Sequence, residues 1–205
     1  DFNNIMTAVY GHAELASMLV GEDEEIAESI REIMRGAERA SELVGQILAF
    51  SRQRKSEKGP LKVVSIVKEA AKLLQASMPA NVEIDVRWSD EDLTVLADGT
   101  EIHQVVMNLC TNSFHALGES GGSIDVTVED VDIEITDSAV QKHGNLLPGR
   151  YVLLRVTDTG QGIRSEDLDR VFEPYFTTKG EEKGTGLGLS VVHGIVRAHG
   201  GSVDI

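Results

Sequence analysis

The chain has 205 residues, 41% hydrophobic and 26% charged, which is long enough for a buried core and too apolar for wholesale disorder. Nineteen Lys and Arg against 34 Asp and Glu leave a formal charge of −15, which repels a phosphate backbone and argues against general nucleic-acid binding; an anionic ligand would have to be held by local dipoles or a metal. The single cysteine, Cys110, excludes an internal disulfide framework and a cysteine-based zinc site and fits a reducing, cytoplasmic setting, while no apolar run reaches the roughly 18 residues of a membrane span and no signal segment opens the chain.

Residues 1–20 carry Phe2, Ile5, Met6, Val9, Ala13, Ala16 and Val20 at steps of three and four, one stripe of a helix. The run Gly21-Glu22-Asp23-Glu24-Glu25 breaks it and suits the positive N-terminal end of a second helix. From Ile26 the series Ile30, Ile33, Ala37, Ala40, Val44 and Ile47 alternates steps of four and three, a coiled-coil seam sustained over three heptads. Two narrow stripes bury little by themselves. The expectation is half of a dimeric four-helix bundle, in preference to a hairpin packed on the rest of the chain. Residues 52–60 are polar, basic and end in Gly59-Pro60, which marks a boundary.

The remainder predicts a helix from Ser65 to Leu74 and strands over Val82–Trp88 and Leu93–Ala97. A strong helix follows over Ile102–Leu117, then an alternating stretch from Ser123 to Ile135 that could turn midway. A surface loop over 136–150, a strand over Tyr151–Thr157 and a last helix over Leu187–Ala198 complete the series. Strands and helices do not alternate strictly, so an α+β arrangement with helices on one face of a mixed sheet is expected.

Four clusters carry possible chemistry. Asn108 and Asn112 lie four apart on a helix, so both amides leave one face, flanked by His103 and His115; a carboxamide oxygen is a hard-cation ligand, and the plainer role is bonding to neighbouring loops. Asp158-Thr159-Gly160-Gln161-Gly162 follows a strand; its carboxylate could accept from an exocyclic amine or simply close an Asx turn. Phe172-Glu173-Pro174-Tyr175-Phe176 concentrates aromatics in a chain that is 4% aromatic, as an anchor for a mobile segment or as a small local core. Gly184-Thr185-Gly186-Leu187-Gly188 opens the last helix, where free N–H groups and the dipole favour phosphate. It is neither a Walker loop nor a dinucleotide fingerprint, and the polar stretch 179–183 before it is a candidate lid.

In this order the clusters resemble the N, G1, F and G2 boxes of bacterial two-component sensor histidine kinases, and Asp1-Phe2-Asn3-Asn4 resembles the phosphoacceptor motif of the subfamily reading His-Asp-Phe-Asn-Asn. The resemblance covers essentially the whole chain. It implies a dimerisation and histidine-phosphotransfer hairpin over 1–54 and, over 60–205, an ATP-binding domain of the Bergerat (GHKL) type, an α/β sandwich. In it Asn112 would ligate Mg²⁺ with Asn108 in support, and Asp158 would read the adenine amine. Gly160 and Gly162 would shape the adenine pocket. Gly184, Thr185, Gly186, Leu187 and Gly188 would hold the phosphates of ATP, with His115 and Lys179 as further phosphate contacts. Asp1 would orient the attacking imidazole and take its proton. Asn4 would orient water in a reverse, phosphatase reaction. The partner implied is a response-regulator receiver domain, with a homodimer in the intact protein and membrane attachment only through domains elsewhere.

The phosphoacceptor histidine is expected immediately before Asp1; His12 is no substitute, because no Asp-Phe-Asn-Asn follows it. The chain is expected to stop at Ile205 just into a strand after the last helix, ahead of a closing strand. As it stands it should bind ATP without phosphorylating itself at the expected site. Two alternatives remain: a degenerate kinase acting as a nucleotide-binding signalling module, and a non-kinase ATPase of the same fold. The latter uses a Glu one turn before the metal asparagine, where this chain has Asn108.

Overall fold

Heptad spacing and period-two alternation both become elements in a computed structural model, which describes residues 2–20, 24–34, 36–37, 58–133, 146–178 and 185–205, with backbone alone for 2–7. The chain divides into two units, Asp1–Arg54 and Lys55–Ile205.

In the first unit α1 spans Phe2–Leu19 and α2 spans 24–34. Ala13 and Ile30 are buried, and between the helices lies an apolar groove of about 690 Å³ lined by Ala13 and Ala16 of α1 and Ile30 and Ile33 of α2. The later seam positions, Ala40, Val44 and Ile47, lie outside the described residues.

The second unit holds a two-stranded ladder and a three-stranded mixed sheet with helices packed on one face of the latter. Strand β1 (Gly59–Lys62) pairs antiparallel with β3 (Thr94–Ala97), Pro60 opposite Leu96. This corrects the assignment of Gly59-Pro60 to a linker. A two-stranded ladder has only edges, and an edge strand tolerates proline's missing N–H. Helix α3 (Val63–Ser77) follows at once, burying Val63, Val64, Val67, Ala70, Ala71 and Leu74 on one face. It has no side-chain cap; the Val63 N–H donates to Leu93 O instead (3.0 Å). Met78, before Pro79, is extended and ends the helix.

Strand β2 (Val82–Trp88) pairs in parallel with β4 (Gly122–Ile133), and β4 pairs antiparallel with β5 (Gly149–Asp158), giving the order β2-β4-β5. β4 does not turn midway as the sequence allowed: its alternation continues past Glu129 because β5 supplies a ladder partner as far as Ile133. The 134–145 part of the expected loop lies outside the described residues. Helix α4 (Gly99–Leu117) is capped by Asp98, whose side chain accepts from Thr100 N–H at 2.8 Å, and α5 spans Gly188–Ala198. Residues 201–205 are not a strand, contrary to expectation, since no ladder partner lies beside them among the described residues.

The core joins α3, α4 and the inner face of the sheet through Val64, Val67, Val106, Ile124, Val126 and Val128, each essentially fully buried. Burial of each such side chain contributes about 1.5–3 kcal/mol. α4 packs between α3 and α5 and rests on β4 and β5, so it is the axle on which the site is assembled. No helix among the described residues is long and apolar enough to cross a membrane.

Candidate functional site

α4 has two faces because its residues serve two purposes. Val106, Cys110 and Ser113 point into the core, whereas Asn108, Asn112 and His115 follow steps of four and three along the opposite stripe. The two asparagines are half-buried and His115 is exposed. Burial pushes the Cys110 thiol up to about 11, so the one cysteine is an inert core group rather than a nucleophile.

The N-terminus of α5 arrives at the asparagine stripe. A Cβ on Gly188 would lie 3.4 Å from Nδ2 of Asn112 and 3.8 Å from Oδ1 of Asn108, in contact with both amides, so the glycine leaves the space between the helix end and the amides open. The N-cap residue, Leu187, offers no side-chain cap to the first-turn N–H groups, and its own N–H donates to Thr185 Oγ1 at 3.4 Å. First-turn N–H groups and the dipole favour an anion here.

Asp158 closes β5, and one carboxylate oxygen accepts from the Gly160 N–H at 2.9 Å, forming the Asx turn. The turn is fastened to α4. A Cβ on Gly160 would sit 2.6 Å from the Ala116 carbonyl oxygen, which itself accepts from the Gln161 N–H at 3.2 Å. Gly162 turns the chain at φ +70° into open space. In the sequence Ala116 reads only as an apolar position of the helix, yet the last carbonyls of any helix need outside donors. A tight turn of small residues is the donor that can approach.

The aromatic segment is fastened to the glycine turn. Tyr175 N–H donates to Gly186 O at 2.9 Å, and a Cβ on Gly186, at φ +65°, would fall 2.3 Å from the Tyr175 carbonyl carbon. Tyr175 itself holds φ +68°, unusual for a residue with a side chain, and its ring is 75% exposed. Phe172 packs its ring 5.4 Å from the ring of His193 on α5, and the Arg170 guanidinium lies 4.4 Å over Phe176. His193 is a further residue the motif reading passed over, because its partner is 21 positions away in sequence.

Asn108, Asn112, Thr185, Gly186, Leu187 and Gly188 thus meet at the end of α5, with Asp158, Gly160 and Gly162 in a turn on the C-terminal end of α4, beside His115. Asp1, Lys179, Gly184 and the Asn4 side chain lie outside the described residues. The donor set suits a hard cation that shares its shell with ligand oxygens. It consists of two amide oxygens, and among the described residues no group of three His, Cys, Asp or Glu could cage an ion.

The profile of the family described as histidine kinase-, DNA gyrase B- and HSP90-like ATPase matches residues 97–205, more than half of the chain. The sensor kinase CckA of Brucella abortus is 34% identical over 203 residues, which are 99% of this chain and 21% of that protein. The catalytic domain of the histidine kinase ThkA superimposes with a TM-score of 0.55 at 31% identity, over 70% of this chain and 82% of that one. ThkA in complex with the response regulator protein TrrA gives a TM-score of 0.62 at 25% identity, over 97% of this chain and 52% of that one. The chain spans about a fifth of the length of CckA. The chain belongs to the histidine kinase-, DNA gyrase B- and HSP90-like ATPase family, on its sensor-histidine-kinase side.

Proposed function

We propose that this chain is the catalytic core of a two-component sensor histidine kinase. It binds ATP in the 60–205 domain and delivers the γ-phosphoryl group to a histidine on the 1–54 hairpin, from which an aspartate of a response-regulator receiver domain takes it. The observation that carries the reading is the meeting of Asn108 and Asn112 with the N-terminus of α5 at Gly188. An amide-lined, dipole-polarised gap suits a phosphate chain, and the net charge of −15 makes such a local device necessary.

Asp158 would accept from the adenine exocyclic amine through the carboxylate oxygen that does not close the turn, while Gly160 and Gly162 give the purine room. Gly184, Thr185, Gly186 and Leu187 would wrap the phosphates, with His115 and Lys179 as further contacts. Asn112, supported by Asn108, would hold Mg²⁺ against phosphate oxygens; the ion when bound neutralises charge developing on the leaving diphosphate. A neutral imidazole, in the position before Asp1, would attack the γ-phosphorus in line. As the N–P bond forms, the P–O bond to ADP breaks, and the ring's remaining proton passes to the Asp1 carboxylate. Asn4, one turn on, would orient water for the reverse removal of phosphate from a receiver.

Asn108 distinguishes this reading from a hydrolase of the same fold, because a carboxamide cannot take a proton from water. For the hairpin, the open groove beside Ile30 and Ile33 supports pairing with a second copy into a four-helix bundle; replacing Ile33 by Asp should then turn a dimer into a monomer in sedimentation. The nucleotide reading is tested by titrating Asp158→Ala with a fluorescent ATP analogue. Binding should be lost, and unchanged binding would overturn the assignment of the site.

A further inference from the structure

We propose that His199 is a positioning residue for the phosphate gap: its ring clasps the C-terminal end of α5 to the N-terminal end of α4, an inference that rests on the nucleotide-binding reading above. The ring is nearly enclosed, with 11% of its side-chain surface exposed. Its Nδ1 stands 2.8 Å from the Ile195 carbonyl oxygen. A carbonyl can only accept, so Nδ1 carries a hydrogen. On its other side Nε2 accepts the Asp98 backbone N–H at 3.4 Å.

Asp98 is the N-cap of α4 and Glu101 stands three positions later, the spacing at which a carboxylate ordinarily reaches back to the N-cap N–H. Here the Asp98 N–H donates to His199 Nε2, and the Glu101 carboxylate lies 3.4 Å from the same nitrogen. The start of α4 is therefore bonded to a ring 101 positions away in sequence rather than closed only on itself.

The consequence lies at the other end of the two helices. α4 and α5 run antiparallel in contact: His199 meets Asp98 at one end, and Gly188 meets Asn112 and Asn108 at the other. Gly188 and His199 are separated by about 16 Å of helix at 1.5 Å per residue. Sliding or tilting of α5 along α4 is resisted at its far end by the clasp, and any such movement changes the spacing of Gly188 from Asn112 and Asn108. A binding constellation loses efficiency once its parts move by about 0.5 Å.

The experiment compares His199→Ala, His199→Asn and His199→Gln in the 205-residue chain, with the non-hydrolysable ATP analogue AMPPNP and Mg²⁺ as the probe, read by calorimetry. Gln can bring its amide oxygen to the Asp98 N–H but cannot at once serve Ile195. Asn can serve Ile195 on its own helix but cannot reach α4. A clasp predicts about tenfold weaker binding for Ala and Asn and recovery to within about threefold of wild type for Gln. Recovery by Asn and not by Gln would make His199 a local helix cap and overturn the proposal, as would wild-type affinity in all three. The ¹⁵N spectrum of the wild-type ring should show a protonated Nδ1; a bare Nδ1 would also overturn it. No binding by the wild-type chain would strike the functional reading itself, which separates that failure from this one.

Discussion

Gly188 and Asn112 face each other so closely that a methyl group on the glycine would stand 3.4 Å from the amide nitrogen. The relationship separates stability from function. Gly188 begins α5 without a positive φ, so alanine there suits the helix by up to about 1 kcal/mol. The added methyl occupies the space between the amides and the first-turn N–H groups. Gly188→Ala should match or exceed the wild type in thermal unfolding while binding ATP about tenfold more weakly. A variant that loses stability and keeps affinity would contradict this account of the gap.

Gly186 should behave in the opposite way. Its φ of +65° and the 2.3 Å approach of a Cβ to the Tyr175 backbone leave no room for a side chain. Gly186→Ala should break the Tyr175–Gly186 hydrogen bond, cost at least about 1–2 kcal/mol in urea unfolding and expose the 172–178 segment to proteolysis. Tyr175→Gly, at φ +68° with a largely exposed ring, should be tolerated and resist proteolysis as the wild type does.

Asn112→Ala addresses the metal. If its amide oxygen shares Mg²⁺ with the phosphates, the loss of ATP affinity should be larger in Mg²⁺ than in EDTA. Equal losses in the two buffers would make Asn112 a structural residue.

Cys110 gives a pH prediction with a definite sign. Burial raises its thiol from 9.0 in the unfolded chain to about 11 in the fold. Below pH 9 both states are protonated and the group contributes no pH dependence. Between pH 9 and about 11 the unfolded chain releases the proton first, so stability falls as pH rises, by about 2 kcal/mol over that window. Cys110→Ala should lose this part of the alkaline decline. Parallel pH curves for the two proteins above pH 9 would contradict it.

Much of this arrangement was legible before any coordinates. Amphipathic spacing marked α1, α3 and α4, and alternation marked β2 and β4, because one-sided burial imposes those periods on sequence, while β5 stood out as an apolar run. The asparagine pair and the glycine turn were legible as chemistry because a helix rarely sets two amides on one stripe before an anion-friendly helix start. What stayed hidden was set by long-range pairing. β1 looked like a linker until β3 supplied its ladder, and β4 looked interruptible until β5 ran alongside it. Ala116, Tyr175, His193 and His199 act through backbone groups or partners distant in sequence, which leave no local pattern.

The most direct test of the kinase reading uses the chain extended upstream through the residue before Asp1, incubated with γ-labelled ATP and Mg²⁺. The account predicts label on the protein that is labile to acid, stable to base and lost when that upstream residue is replaced. Tight ATP binding with no such label, or label with the opposite acid and base stability, would contradict phosphoryl transfer to histidine.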